Sequence, residues 1–197
     1  MTNKSIKIGI TGGIGSGKSY VARLLSQQFG IPVYDSDSQA RRLMVESAEV
    51  CAALTQLLGP GTYSPAGSLQ KTVVARYLFA SVENAARINA IVHPAVKTDF
   101  LRWAAMQDGV AAIESAILLE AGFLDVVDYL MVVTAPEDLR IQRTMQRDGV
   151  GEEQVRQRMA QQASEQERLQ AADYIIYNDG RDLLPQLQDF VANLLSE

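Results

Sequence analysis

The order of apolar and polar positions along the chain predicts alternating strands and helices. Between residues 6 and 10, isoleucine alternates with Lys7 and Gly9, as in a strand, and Ser19 to Phe29 carries apolar side chains at helical spacing. The same reasoning predicts further strands at 31–34, 110–115, 129–134 and 174–177, and further helices at about 135–147, 152–171 and 182–195. This alternation is typical of an α/β fold, here with a parallel five-stranded sheet covered by helices on both faces.

The longest stretch without a predicted strand runs from about 38 to 108 and favours helices. Turn signals at 58–61 and 64–67 interrupt it, and we expect His93-Pro94 to begin a new helix, because proline is tolerated in a first helical turn. We therefore predict a single chain with a core of 1–37, 109–136 and 172–197 and a helical insertion at about 38–108.

The composition excludes several functional classes. The formal net charge of −5 argues against broad nucleic-acid binding, which requires a basic face, but it allows a small anionic ligand. One cysteine, Cys51, and one histidine, His93, cannot form an internal disulfide or a zinc site of the Cys/His type. The sequence shows no signal peptide and no apolar run of transmembrane length, so we expect a cytoplasmic protein that does not contact membranes.

A glycine-rich motif follows the first predicted strand. The run Gly12-Gly13-Ile14-Gly15-Ser16-Gly17-Lys18-Ser19 matches G-x-x-x-x-G-K-[ST] at every fixed position. In such a P-loop, backbone N–H groups surround a phosphate at a helix N-terminus, Lys18 would reach the β- and γ-phosphates of ATP, and the Ser19 hydroxyl would bind Mg²⁺. The alternative is a glycine-rich turn without a ligand, but the strand before it and the helix after it favour nucleotide binding.

The rest of the sequence narrows the class of P-loop protein. It contains no guanine-reading N-K-x-D or T-K-x-D motif, and 197 residues leave no room for the oligomerisation modules of large ATPases. The architecture that remains is that of a small kinase: a P-loop core with a helical acceptor-binding insertion and an arginine-bearing lid. The lid then corresponds to about 137–171.

Five further segments follow the P-loop in a fixed order, so that the recognisable pattern covers residue 8 to about 180. They are Val33-Tyr34-Asp35-Ser36-Asp37, Ile91-Val92-His93-Pro94-Ala95-Val96, Ile117-Leu118-Leu119-Glu120-Ala121-Gly122, Arg143 with Arg147-Asp148, and Ala172-Asp173-Tyr174-Ile175-Ile176-Tyr177-Asn178. In this series the chain resembles the dephospho-CoA kinase family. It departs from the family pattern at Glu114, Lys71 and Arg140, where Asp, Arg and Gln are common.

The resemblance implies an activity and its partners. The reaction would be ATP-dependent phosphorylation of the ribose 3′-hydroxyl of dephospho-CoA, which yields coenzyme A and ADP, with Mg²⁺ as cofactor. The implied partners are ATP and dephospho-CoA, and nucleic acid is not one of them; the sequence does not indicate an oligomeric state. The resemblance also implies that Asp35, Arg41 and His93 bind the acceptor and that Asn178 contacts adenine.

Asp37 is the candidate general base. The carboxyl ends of strands border the ligand crevice of an open α/β sheet, and a carboxylate there can accept the proton of an attacking hydroxyl. From the residues alone, capping of the next helix explains Asp37 equally well, because N-caps favour aspartate; the resemblance favours the base. Asp35, two residues earlier, is expected on the same side of an extended segment.

Three arginines share one face of the predicted helix at about 135–147. Arg140, Arg143 and Arg147 are spaced at i, i+3 and i+7, and guanidinium groups suit the charge of a transferring phosphoryl group. The alternative is a solvated helix face. The resemblance assigns Arg143 and Arg147 to the lid and leaves Arg140 and Glu120 open. Two rival functions also stay open, namely a kinase for another small acceptor and a non-catalytic nucleotide-binding switch.

Overall fold

A computed structural model of the chain describes residues 5–196. Its strands form one parallel five-stranded sheet, as the sequence predicts. The strands are β1 Ile6–Thr11, β2 Val33–Asp35, β3 Val110–Glu114, β4 Tyr129–Thr134 and β5 Tyr174–Tyr177. Their order in the sheet is β2-β3-β1-β4-β5.

Helices connect and follow these strands. In chain order they are α1 Lys18–Phe29, α2 Ser36–Glu46, α3 Ala48–Leu58, α4 Lys71–Leu78, α5 Val82–Ala104, α6 Glu137–Asp148, α7 Glu152–Met159, α8 Glu165–Ala171 and α9 Leu183–Ser196. Short 3-10 turns lie at Pro60–Thr62 and Phe123–Val126. Within residues 5–196, no helix is both long enough and apolar enough to cross a bilayer.

The hydrophobic core lies between the sheet and the helices α1 and α9. Ile8 and Ile10 of β1 are fully buried and belong to one apolar cluster with Leu25 of α1 and with Leu187 and Phe190 of α9. Burying a side chain of this size contributes roughly 1.5–3 kcal/mol. The central strand is therefore fixed firmly, and the loop that follows it starts from a rigid position.

The strand register determines which residues surround that loop. Ile10 of β1 lies opposite Glu114 of β3, and Thr11 lies opposite Val132 of β4. In a parallel sheet the carboxyl ends of the strands meet at one edge, which is where ligands bind in open α/β folds. The ends of β3 and β4 therefore flank the start of the glycine-rich loop, and the end of β5 lies one strand further along the same edge.

The chain divides into two compact units. One is Asp35–Trp103, which contains α2, α3, α4 and most of α5, and the other comprises the described residues on either side of it. In the helical unit an ion pair of 2.6 Å between Arg42 of α2 and Asp99 of α5 joins the first helix to the last.

The long helix predicted at about 152–171 is wrong, since the structure has two helices there. α7 ends at Met159, and α8 begins at Glu165 after the N-cap Ser164. Ser164 and Glu167 form a capping box, in which each side chain binds the other residue's backbone N–H. Such a box stabilises a helix start, so residues 160–164 form a turn between two helices.

The prediction that His93-Pro94 begins a helix is also wrong, because both residues lie inside α5. The helix continues because Ile88, Val92 and Val96 recur every four residues and are buried. An internal proline removes the hydrogen bond to the carbonyl four residues earlier, here that of Ala90. Pro94 and Ala90 are both exposed, so water can replace the missing donor.

Candidate functional site

The loop Gly12–Gly17 joins β1 to α1, and Lys18 and Ser19 of the motif lie in the first turn of α1. This is the strand–loop–helix context that the motif requires. Ser16 N–H donates to the carbonyl of Gly13 at 3.0 Å, which closes a tight turn. Gly17 caps α1 with a φ of 92°, in the left-handed region that favours glycine. A side chain at Gly17 would also collide with the amide nitrogen of Asn178. The loop therefore needs glycine at this position for two independent reasons.

Lys18 and Ser19 both contact Glu114, the last residue of β3. The Ser19 hydroxyl donates to Glu114 Oε1 at 2.6 Å, and the Lys18 ammonium lies 3.7 Å from the same oxygen. The side chains of Lys18 and Glu114 are only 18% and 13% exposed. An acidic residue at the end of the strand beside a P-loop is where such proteins hold magnesium together with the P-loop Ser/Thr. Hydroxyl and carboxylate oxygens are ligands that Mg²⁺ prefers, so the residues present fit this ion.

Asn178, which follows β5, supports the loop from the other side. Its side-chain amide donates to the carbonyl of Ser16 at 2.8 Å, and its own carbonyl accepts from Arg143 Nη1 at 3.1 Å. The structure thus brings Asn178 and Arg143 together at the P-loop. The adenine contact of Asn178 and the phosphoryl contact of Arg143 stay predictions.

Gln162, in the turn between α7 and α8, reaches the P-loop. Its side-chain oxygen accepts from the N–H of Ile14 at 2.9 Å, and its side-chain nitrogen donates to the carbonyl of Ala116 at 3.2 Å. The next residue, Ala163, donates its N–H to Glu120 at 2.7 Å. Glu120, whose role the sequence left open, therefore helps to anchor this turn to the loop that follows β3.

Arg140 is buried, so for this residue the alternative of a solvated helix face is wrong. Arg140 of α6 and Arg168 of α8 are 5% and 4% exposed and share the carboxylate of Glu165. The Arg140 carbonyl accepts from the Thr144 hydroxyl at 2.8 Å. A side chain at Gly13 would collide with the guanidinium group of Arg140, so the two residues are in close contact.

Arg147 lies on the exposed end of α6. Its guanidinium group binds Asp148 at 2.7 Å, and Arg158 of α7 binds the same carboxylate at 2.6 Å. The hydrogen bonds from Arg147 and then Arg158 hold the pKa of Asp148 well below its usual range. Within the described residues, Arg147 thus belongs to a surface cluster and Arg140 to a buried one, although both follow the same helical repeat.

In the helical unit, Asp35 and not Asp37 caps α2. Asp35 Oδ1 accepts from the backbone N–H groups of Asp37 and Ser38, and Oδ2 accepts from the Ser38 hydroxyl at 2.6 Å. The capping alternative for Asp37 is therefore wrong. The expected extended segment is wrong as well, since Asp37 lies in the first helical turn. Its carboxylate is exposed and makes no hydrogen bond or ion pair with any residue of 5–196.

Arg41 and His93 occupy different surroundings in the same unit. Arg41 is exposed on α2 and lines, together with Lys71, Leu69 and Phe79, an open cavity of about 800 Å³. His93 is half-buried on α5, and burial lowers the pKa of its imidazole. The lining residues of that cavity do not include His93.

Comparison with known proteins identifies the family. A family model described as dephospho-CoA kinase matches residues 6–183. The chain belongs to the dephospho-CoA kinase family. The dephospho-CoA kinase of Porphyromonas gingivalis is 46% identical over 185 residues, which cover 92% of this chain and 91% of that protein. The dephospho-CoA kinase of Bacteroides fragilis is 42% identical over 193 residues, which cover 96% and 93% of the two chains. A solved Thermus thermophilus structure has a TM-score of 0.81 at 31% identity and covers 98% of both chains.

This dephospho-CoA kinase family member is therefore a kinase, as the sequence predicts, and its P-loop is a nucleotide-binding element. The contacts of four residues were not predicted from the sequence, namely those of Glu114, Gln162, Glu165 and Arg168. For Glu114 a signal was available, because this acidic residue lies at the carboxyl end of the strand predicted at 110–115. Gln162, Glu165 and Arg168 gave no such signal, because the helical pattern of 152–171 predicted one continuous polar helix there.

Proposed function

We propose that this enzyme transfers the γ-phosphoryl group of ATP to the ribose 3′-hydroxyl of dephospho-CoA, giving coenzyme A and ADP. The main support for the proposal is that, in a chain of this family, Lys18 and Ser19 of the P-loop contact Glu114 at the edge of the sheet where the strands end. ATP would lie on the loop, with its phosphates bound by backbone N–H groups and by Lys18.

Magnesium belongs to this proposal as the cofactor. Ser19 would bind it directly, and Glu114 would hold one of its waters, since Mg²⁺ keeps several waters in sites of this kind. The ion supplies neutralisation of the phosphate charges when it is bound. Lys18 would supply a second positive charge next to the phosphates, in addition to Mg²⁺. Its ammonium group is positioned by the 3.7 Å contact with Glu114.

The acceptor would bind the helical unit in the cavity between α2 and α4. Arg41 and Lys71 supply two cations there, and Val45, Leu69 and Phe79 supply apolar surface, with Phe79 82% exposed. Dephospho-CoA combines a diphosphate with a long, weakly polar arm. A groove with cations beside an apolar floor suits both parts of such a ligand. Asp35 and His93 would shape the same acceptor unit and not exchange protons.

Asp37 is the general base in this proposal. Both oxygens of Asp35 are occupied by helix capping, whereas the Asp37 carboxylate is exposed and unpartnered among residues 5–196. Of the two carboxylates, only Asp37 is therefore free to accept a proton from the 3′-hydroxyl as that oxygen attacks. Arg143 and Arg147 would stabilise the charge of the transferred group, and closure of the lid over the phosphates would exclude water.

The experiment measures ADP release by the purified enzyme with ATP and Mg²⁺, with and without dephospho-CoA, alongside nucleosides, nucleoside monophosphates and shikimate. We expect turnover with dephospho-CoA only. Asp37→Asn should lower kcat by about 10²–10⁴, the range for loss of a general base, while ATP affinity is unchanged. Glu83→Gln is the matched control, since Glu83 is an acidic residue in the first turn of another helix of the same unit, α5.

Each contrary outcome removes a defined part of the proposal. Turnover with a different acceptor would refute dephospho-CoA as substrate and leave the kinase assignment intact. An Asp37→Asn variant with normal kcat would refute the base. ATP binding without any acceptor-dependent ADP release would favour a nucleotide-binding switch.

A further inference from the structure

Two buried arginines support the P-loop. Arg140 of α6 and Arg168 of α8 are 5% and 4% exposed. A side chain at Gly13 would collide with Arg140 Nη1 and come within 2.9 Å of Arg168 Nη2, so both guanidinium groups lie against the loop backbone at this residue. Arginine is almost never fully buried unless it is paired. Two of them at one glycine therefore call for a functional explanation.

The Glu165 carboxylate lies close to both guanidinium groups, and its single negative charge balances only one of their two positive charges. Its Oε2 lies 2.9 Å from Arg168 Nη2 and 3.5 Å from Arg140 Nη1, and its Oε1 accepts a hydrogen bond from the hydroxyl of Thr134, the last residue of β4. Burial raises the pKa of Glu165, but the Thr134 hydrogen bond and the two arginine charges lower it below its ordinary value overall. Glu165 is therefore ionised at neutral pH, and the three groups together carry a net charge of +1.

Other charged groups nearby are more exposed. A cavity of about 340 Å³ opens beside the arginine pair, and Glu137 and Arg156 also line it. Arg156 binds Glu137 and Glu152, and these three side chains are 45%, 55% and 56% exposed. Water and salt screen exposed charges, whereas buried charges are screened much less. The two buried arginines thus dominate the local field, and Glu165, whose side chain is 31% exposed, offsets only part of their charge. The Nε atoms of Arg140 and Arg168 have no hydrogen-bond partner among the described residues, so the arginines are not held there by complete hydrogen bonding.

We propose that Arg140, Glu165 and Arg168 form a charged support that positions the first half of the P-loop and strengthens nucleotide binding in proportion to the phosphate charge. Arg140 and Arg168 are positioning residues, because they are almost fully buried and their guanidinium groups lie against the loop backbone at Gly13. A fixed positive charge in a region of low dielectric attracts a more negative ligand more strongly, so it should strengthen the binding of ATP more than that of ADP, and of ADP more than that of AMP. The inference rests on nucleotide binding by the P-loop and not on the identity of the acceptor.

The experiment measures the Kd of ATP, ADP and AMP by calorimetry, without Mg²⁺ and without acceptor. Arg140→Gln removes one buried charge and should weaken ATP by about tenfold, ADP by about threefold and AMP hardly at all. Glutamine is common at this position in the family, so this variant is expected to fold. Glu165→Gln adds one net positive charge and should shift the ratio of ATP to ADP affinity in the opposite direction.

Two controls separate charge from shape. Arg140→Lys keeps the charge and should keep the ATP to ADP ratio, and Arg102→Gln removes the same charge from an exposed position on α5 and should change nothing. Thermal unfolding of each variant checks the fold, and Arg168→Gln with the same three titrations replaces Arg140→Gln if that variant does not fold. Equal losses for ATP, ADP and AMP, an unchanged ratio, or shifts of the same sign in Arg140→Gln and Glu165→Gln would each overturn the proposal. Turnover is not measured, so an error in the acceptor assignment cannot produce any of these results.

Discussion

Replacement of Glu114 by glutamine tests how the end of β3 serves the nucleotide site. The substitution keeps the size of the side chain and an oxygen that can accept the Ser19 hydroxyl, which now donates to Glu114 at 2.6 Å. It removes the negative charge that lies 3.7 Å from the Lys18 ammonium. The structure predicts opposite effects on nucleotide binding with and without magnesium.

Without magnesium, Glu114→Gln should tighten nucleotide binding. Unit charges about 4 Å apart interact by about 4 kcal/mol at an effective dielectric constant of about 20. Desolvation of two largely buried groups offsets most of this interaction. We expect about 1 kcal/mol of the attraction between Glu114 and Lys18 to remain, which corresponds to about a fivefold change in the Kd of the nucleotide. The variant releases Lys18 from this competition and also removes a carboxylate that repels the phosphates, so both changes act in the same direction.

With magnesium, the same variant should bind the nucleotide more weakly and react more slowly. Outer partners that orient the ligands and waters of a metal ion typically contribute 10–100-fold in metal affinity or activity. We therefore expect kcat/KM for Mg·ATP to fall by about 10–100-fold in Glu114→Gln.

The assay is calorimetric titration of ADP into wild type and variant, once with EDTA and once with Mg²⁺, followed by steady-state kinetics. Glu49→Gln, an exposed acidic position on α3, serves as the control for loss of charge. A change by the same factor with and without the metal would refute the reasoning, because it would mean that Glu114 acts on the loop and not on the ion.

Two further predictions concern stability. Gly17→Ala places a Cβ on a residue with left-handed backbone angles and against the side chain of Asn178. The free energy of unfolding, measured by urea titration, should therefore fall by at least about 1–2 kcal/mol. An unchanged midpoint of urea unfolding would show that alanine is not strained at this position. Burial lowers the pKa of His93 in the folded chain. As the pH falls through the unfolded-state pKa of about 6.5, the unfolded chain therefore takes up a proton that the folded chain does not. The free energy of unfolding then decreases until the lower folded-state pKa is reached. His93 is the only histidine, so His93→Gln should remove this slope, which begins near the unfolded-state pKa of about 6.5. A variant that keeps the slope would assign it to other groups.

The parts of the fold that could be predicted are those encoded by local patterns. The unbroken apolar run in β4 identifies a buried strand, because a strand in a covered parallel sheet is apolar on both faces. In β1 the alternation of isoleucine with Lys7 and Gly9 identifies a strand through its two-residue repeat. The P-loop could be predicted because its chemistry lies in eight consecutive residues, Gly12–Ser19.

The parts that could not be predicted depend on contacts between distant residues. Ile14 and Gln162 are 148 positions apart, and Ser16 and Asn178 are 162 apart, yet both pairs are hydrogen-bonded. A polar stretch with helical periodicity does not reveal which of its charges is buried. Arg140, Arg143 and Arg147 follow one repeat, but they lie against Gly13, beside Asn178 and at the surface.

The helix break at 160–164 has a consequence for motion in the region 137–171. Both ends of this region are held by buried arginines, Arg140 at the start and Arg168 at the end, and leaving a buried charge without its partner is strongly destabilising. α7, between them, is held by the buried Val155 and by ion pairs of Arg156 and Arg158, whose side chains are 45% and 42% exposed. Such surface pairs are typically worth 0–1 kcal/mol each. A lid formed by this region would therefore move at α7, next to Arg147, while Gln162 and Arg168 kept the P-loop in place.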